Sequence, residues 1–335
     1  MAATIKDIRR VTGLSLSTIS KYLNGGNVRP ENRERIEKAV RDLNYEVNET
    51  ARSLVTRRSR TIGVIVYSIE SLFAGILLHH ISTFFRQHGY ATVICDSGED
   101  EAAEKEHVHF LLSKHVDGII VIPCSSSADF LQEAREHDVP VVMLDRMIRG
   151  ADIDSVTVDN RTAAARAADI LADNGHRKIA FIGSSWELTG IERCEGFTDA
   201  LRRRDIPVPA RYQKRGRHSI EFGHKSMEEL LALSDPPTAV FMTNYEITLG
   251  AVMALNEAGR KCPEDVSLFG FDNLLLSHLV RPKLFMVVQP MQELAEESAE
   301  LLLRRISGEE TGAPRQIVLG TQIQEGTSIR RIGGA

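Results

Sequence analysis

The spacing of apolar positions changes along the chain. In the first 45 residues Ile5, Ile8 and Val11, then Ile19, Tyr22 and Leu23, then Ile36, Val40 and Leu43 recur every three or four residues, the spacing of one buried helical face. Thr4 suits a helix start and Asp7 falls in the positive first turn, so a first helix is expected over about 5–12. Gly13-Leu14 reads as a tight turn and Ser15 as the cap of a second helix. A third helix opens with Pro30 and runs to about Leu43. From Thr61 onward, short β-branched runs at 62–66, 92–95, 118–122, 141–144 and 156–158 alternate with amphipathic segments at 74–88, 102–115 and 127–137. The alternation resumes with runs at 179–182, 239–242 and 266–269 and helical segments near 162–174, 193–204, 223–233 and 247–258. This pattern predicts an α/β fold with doubly wound parallel sheets, and its two runs predict two lobes. Ligands of such sheets bind where strand C-termini face a crevice, here expected between the lobes.

Two short helices around a glycine-containing turn make a helix-turn-helix. Its second helix leaves Leu16, Ser17, Thr18, Ser20 and Lys21 for the outer face. These short or basic residues can enter a major groove and bring donors and a small apolar group to base edges. Charge separates along the chain in the same sense. Of 41 basic and 46 acidic residues, 13 and 7 lie in the first 60, a balance of +6 there against −11 in the remaining 275. A basic head on an acidic body is the layout of a polyanion-binding module joined to something that does not itself bind nucleic acid. The competing reading is an ordinary solvated helical surface.

Composition removes other classes. With 335 residues, 42% hydrophobic and 26% charged, the chain has the make-up of a soluble globular protein of two or three domains. No apolar stretch approaches the roughly 20 residues of a membrane span, and the charged N-terminus lacks an export signal. Cys95, Cys124, Cys194 and Cys262 are too far apart for a disulfide framework or a zinc site, so a cytoplasmic protein without membrane contact is expected. No Gly-x-Gly-x-x-Gly follows a strand, no Walker-type loop is present, and Gly183-Ser184-Ser185-Trp186 lacks the spacing of a nucleophile elbow. His79-His80 and His107-x-His109 point to different faces of their helices and read as surface residues, not metal ligands. No enzyme activity, catalytic residue, cofactor or metal is expected.

Thr4-Ile5-Lys6-Asp7-Ile8, Gly13-Leu14-Ser15, Thr18-Ile19-Ser20-Lys21-Tyr22-Leu23-Asn24-Gly25 and Ala51-Arg52-Ser53-Leu54 resemble the headpiece and hinge of the LacI/GalR bacterial transcription repressors. The resemblance implies a homodimeric regulator, a repressor above all, on pseudo-palindromic operator DNA. It further implies that Leu16, Ser17 and Lys21 read bases while Thr18, Ser20 and Asn24 hold phosphates. A hinge helix over about 48–56, carrying Ala51 and Leu54, would order on DNA with Leu54 wedged into the minor groove, where unstacking is exchanged for a bent duplex and more contact. Arg29 stands where the family usually has a capping serine, and Val47 replaces a common hinge proline.

The likeness continues through Gly63-Val64-Ile65-Val66, Val116-Asp117-Gly118-Ile119-Ile120, Asp145-Arg146, Val158-Asp159-Asn160, Gly175-His176-Arg177-Lys178-Ile179, Pro263-Glu264-Asp265-Val266-Ser267 and Gly270-Phe271-Asp272, which resemble the repressor core, similar in fold to periplasmic sugar-binding proteins. The organisation implied is a headpiece over 1–47, a hinge and linker over 48–60 and an effector-binding and dimerisation core over 61–335. Its first lobe would span 61–158 plus 291–319, its second 159–290 plus 320–332. The carried-over effector residues are Phe73, Arg193, His218, Asn244 and Asp272. An Arg and an Asp facing a cleft suit a polyhydroxylated or heterocyclic ligand, although Arg193 and Asp272 could instead form a salt bridge between the lobes. Ser71-Leu72-Phe73-Ala74 departs from the usual Asn-Pro-aromatic-aromatic, His218 fills an aromatic slot, and Arg217 and Tyr245 replace common aspartates. These changes point toward a less hydroxylated or anionic effector, such as a sugar phosphate or sugar acid. A phosphocarrier protein is a candidate co-repressor. The alternatives are a cytoplasmic solute-binding protein without a regulatory role and an α/β enzyme.

Overall fold

The computed structural model describes residues 3–23, 25–45, 58–185, 187–272 and 280–333. Contacts divide the chain into two bodies, Met1–Thr61 and Ile62–Ala335. In the first, α1 (Ile5–Thr12), α2 (Leu16–Leu23) and α3 (Pro30–Asp42) enclose Ile8, Ile19, Ile36 and Ala39, with Ile5, Leu14, Tyr22 and Leu43 packed around them. The Asp7 carboxylate accepts from the Thr4 N–H at 3.0 Å and the Thr4 hydroxyl at 2.8 Å, fixing the first turn. Gly13, at φ 66°, ends α1 in the left-handed conformation and donates its N–H to Arg9 O at 2.8 Å, as a terminating glycine does. Ser15 Oγ accepts from the Thr18 N–H at 3.2 Å and starts α2. Val11 departs from the expected buried face: it is 55% exposed, and Thr12 is buried instead. At 3.6 residues per turn, Val11 has swung about 120° from Ile5, whereas Thr12 stays within about 40° of Ile8.

The second body contains two six-stranded sheets of matching strand order. The first holds β1 (Thr61–Val66), β2 (Ala91–Asp96), β3 (Gly118–Val121), β4 (Val141–Leu144) and β5 (Asp154–Val158). The second holds β6 (Ile179–Ser184), β7 (Gln213–Gly216), β8 (Ala239–Met242), β9 (Ser267–Phe271) and β10 (Phe285–Val288). Each five-strand set runs in the order 2-1-3-4-5, a doubly wound arrangement whose ligand crevice lies at the strand C-termini. Two strands from the end of the chain complete the sheets: β11 (Gln316–Leu319) pairs parallel with β5, and β12 (Gln322–Gln324) antiparallel with β10. β3, β4 and β5 are buried along their whole length, because helices cover both faces.

The helices include α4 (Leu72–Gln87), α5 (Glu101–Ser113), α6 (Gln132–Glu136), α7 (Asn160–Asp173), α8 (Leu188–Arg203), α9 (Ile220–Leu231), α10 (Tyr245–Glu257) and α11 (Met291–Ser307). The segment expected as one helix over 127–137 is a 3-10 turn, Ala128–Leu131, followed by α6. Helix α8 begins five residues before the expected start and contains Gly190, where a Cβ would lie 2.6 Å from Ser184 Cβ. Glycine there permits the close approach to β6. The histidines read as surface residues divide: His109 is exposed and pairs with Glu133 at 2.8 Å, whereas His107 is half-buried with its Nδ1 sequestered. Among the described residues no helix is long and apolar enough to cross a membrane, and no group of three or more His, Cys, Asp or Glu could hold a metal ion.

Candidate functional site

Two regions gather the expected site residues, one in each body. On α2, Ser17 and Lys21 are exposed while Leu16, Thr18 and Ser20 are half-buried. The Ser15 hydroxyl lies 2.8 Å from both the Ser17 and the Thr18 hydroxyl, so the first turn of α2 presents a cluster of short hydroxyls at a helix N-terminus, a combination suited to phosphate oxygens. Lys21 lies one turn further on. Tyr22 turns inward and donates from its hydroxyl to Glu37 at 2.9 Å, which locks α2 against α3. Asn24, Ala51 and Leu54 lie outside the described residues.

In the second body all five expected effector residues converge. Phe73, Arg193, His218, Asn244 and Asp272 line a cleft together with Tyr67, Asp145, Arg146, Thr189, Glu246 and Gln289. The fold explains the convergence. Asp145 directly follows β4, and Asp272 directly follows β9, its counterpart in the second sheet. Both aspartates have positive φ, 63° and 85°, a conformation that costs non-glycine residues energy and gathers at functional sites. The cleft is therefore built from matching strand ends of two similar lobes.

Several groups are already committed to one another. Arg193 Nε donates to Asn160 at 2.7 Å, its Nη1 to Thr243 O at 2.8 Å, and its guanidinium lies 3.7 Å from the centre of the Phe271 ring. Asp272 accepts from the Tyr245 N–H at 3.0 Å and from Gln289 at 2.5 Å. Asn244 caps α10, its Oδ1 accepting from the Ile247 N–H at 3.0 Å. Arg193 and Asp272 approach to 3.9 Å, but both belong to the second lobe, so they do not form the salt bridge between lobes that was the alternative. The lobes are joined instead by Ser71, whose hydroxyl donates to Glu246 at 3.2 Å, and by the ion pairs Arg149–Glu192 and Arg217–Glu99.

Other groups are buried without a hydrogen bond. Asp145 Oδ1, Arg146 Nε, His218 Nε2 and Gln289 Oε1 lack one, although Arg146 Nε lies 3.9 Å from the other Asp145 oxygen as an ion pair; this is costly for buried polar atoms unless something else meets them. Burial pushes the Asp145 carboxyl up to about 6 and also raises Glu246. Glu187 goes the other way: burial opposes its ionisation, yet His218 at 2.6 Å and Arg146 hold it well below the usual carboxylate range. Arg146 lies 4.1 Å from the centre of the Tyr67 ring. Arg217, part of the argument for an anionic ligand, is exposed and pairs with Glu99 at 3.8 Å instead of lining the cleft. Sequence reasoning missed Tyr67, Asp145, Arg146, Thr189, Glu246 and Gln289 as site residues. The signal that singled out Asp272, an acid directly after a buried strand, is equally present at Asp145.

The described geometry has counterparts among known proteins. Residues 4–48 match the family model of bacterial regulatory proteins of the lacI family, and residues 168–329 match a periplasmic binding protein-like domain. The HTH-type transcriptional repressor CytR of Escherichia coli is 33% identical over 95% of this chain and 94% of its own length. A lac repressor dimer bound to operator and the anti-inducer ONPF superposes with a TM-score of 0.87 at 25% identity, over 98% of this chain and all of that one. A LacI family regulator from Enterococcus faecium with bound ribose gives a TM-score of 0.73 at 29% identity, over 82% of this chain and all of that one. The chain belongs to the lacI family of bacterial regulatory proteins, DNA-binding transcriptional regulators.

Proposed function

We propose that this regulator is a cytoplasmic repressor that reads a pseudo-palindromic operator as a homodimer and is switched by a neutral, hydroxyl-bearing metabolite in the cleft. The observation that carries the switch is the set of buried atoms without a hydrogen bond on residues that line the cleft: Asp145 Oδ1, Arg146 Nε, His218 Nε2 and Gln289 Oε1. A hydroxyl can both donate and accept, so a polyol serves this mixed set, giving hydrogens to Asp145 and Gln289, a lone pair to Arg146, and either one to His218 Nε2 according to the ring's protonation. An anion serves it poorly. Asp145, Glu246 and Asp272 outnumber Arg146 and Arg193 in the cleft lining, and a further buried negative charge would meet surplus carboxylates. The ribose carried by the Enterococcus faecium relative supports a neutral sugar-like ligand. Operator contact is assigned to Leu16, Ser17, Thr18, Ser20 and Lys21, with Asn24, Ala51 and Leu54 as further contacts.

The test is a gel-shift selection from genomic fragments with non-specific competitor DNA, repeated with neutral sugars and with sugar phosphates. The expected outcome is a two-fold related site whose occupancy responds to a neutral compound. Response to phosphorylated compounds alone would overturn the ligand assignment, and absence of any preferred fragment would overturn the operator assignment.

A further inference from the structure

We infer that the effector is a two-part neutral molecule, with a hydroxyl-bearing end anchored in the cleft and a larger, less polar body seated in a second chamber beside it. This rests on the reading of the cleft as an effector site. The cleft has only about 20 Å³ of free interior, room for about one water molecule. The adjoining chamber offers about 440 Å³, within the roughly 300–1,000 Å³ of small-molecule sites. Arg146 lines both spaces and, stacked on Tyr67 with its Nε making no hydrogen bond, stands where the two parts of a ligand would join.

The chamber's walls come from both lobes. Pro123, Met147 and Ile148 line one side, and Leu188 and Ile191 at the start of α8 line the other. Its first-lobe wall is held in place from behind. The fully buried Glu104 accepts from the Cys124 N–H at 2.7 Å, the Ser125 N–H at 3.1 Å and the Ser125 hydroxyl at 2.5 Å, so the loop after β3 is fixed before any ligand arrives and little ordering cost falls on binding. Arg149 and Glu192 meet across the lobes at 3.3 Å at the rim. A monosaccharide alone would meet the polar end and leave these apolar walls unused. A glycoside, disaccharide or nucleoside would fill both.

The experiment is calorimetric titration of the full-length protein with matched pairs: D-ribose with adenosine, and D-glucose with cellobiose and with phenyl β-D-glucoside. The expected result is at least one pair in which the larger member binds about tenfold or more tightly than its free sugar, the scale of an extra apolar contact in a pocket. Ile191→Trp and, from the opposite wall, Ser126→Tyr should each bring that larger member down to the affinity of the free sugar. Two variants on different lobes guard against a folding defect in either. Free sugars binding as tightly as their larger partners, or a preference that survives both substitutions, would overturn the two-part ligand and leave the effector site standing. Binding by none of these compounds would overturn both.

Discussion

Asp145 is a group whose burial opposes folding in the absence of ligand. Its folded-state pKa, pushed up to about 6, lies above the ordinary value of 3.8. The folded chain therefore holds this proton more tightly than the unfolded chain, a contribution fully present below about pH 3.8 and lost as pH rises through 6. At pH 7.5 the ionised, partly unpartnered carboxylate remains as a cost. Asp145→Asn, which tolerates the left-handed backbone, is expected to raise the stability of the ligand-free protein by about 1–3 kcal/mol at pH 7.5, with the gain vanishing toward pH 4. Urea unfolding at the two pH values checks this, and a destabilised variant at pH 7.5 would show that the carboxylate is paired. At the other site, Lys21→Ala should cost about 1–3 kcal/mol and relax preference at one base position per half-site. Titration with operator variants decides it: equal weakening on every sequence would move Lys21 to a phosphate contact.

At the scale of elements, the headpiece makes a sharp contrast between two neighbours. Ile8 is fully buried and Val11 is exposed. Ile8→Ala should destabilise the headpiece by about 2–5 kcal/mol, whereas Val11→Ala should stay within about 0.5 kcal/mol, as read by thermal unfolding followed by circular dichroism. Comparable losses for both would place Val11 in the core after all. The same pair shows what sequence can and cannot tell. A helix was legible from the spacing of Ile5 and Ile8, but a run of three-residue steps drifts off the buried face, and only packing selects Thr12 over Val11. The buried strands β3, β4 and β8 were legible because continuous apolar runs have few other uses. β7, with Gln213-Lys214-Arg215-Gly216, carries no such signal, because it is an edge strand only partly covered. Asp272 was found in its Gly270-Phe271-Asp272 motif and Arg193 through the family resemblance. Glu246 was not, because an acid in the first turn of a helix reads as an ordinary favourable charge until the opposite lobe places Ser71 against it.

At the scale of the molecule, a basic head and an acidic body separate two tasks that have to be coupled. Contact with about 6–10 phosphates by a dimer should make operator affinity fall by about three to five decades between 50 and 200 mM salt. A flat response would contradict the assigned head. Coupling requires that the ligand bind one arrangement of the lobes better than another, since only that difference can shift the equilibrium. The Ser71–Glu246 hydrogen bond and the small free interior of the cleft show that a ligand cannot enter without moving side chains or lobes. Asp272, held by the Tyr245 N–H and Gln289, sits on the second lobe, with Asp145 on the matching strand end of the first. The most direct test of the account is the operator affinity of the wild type, Asp145→Asn and Asp272→Asn proteins, measured by fluorescence anisotropy with and without the neutral compound that binds the wild type. The account predicts at least a tenfold change in wild-type operator affinity, equivalent to about 1.4 kcal/mol, and little or no change in the two variants, which still bind DNA. An operator affinity in the wild type that is indifferent to the bound compound, or variants that respond as the wild type does, would contradict it.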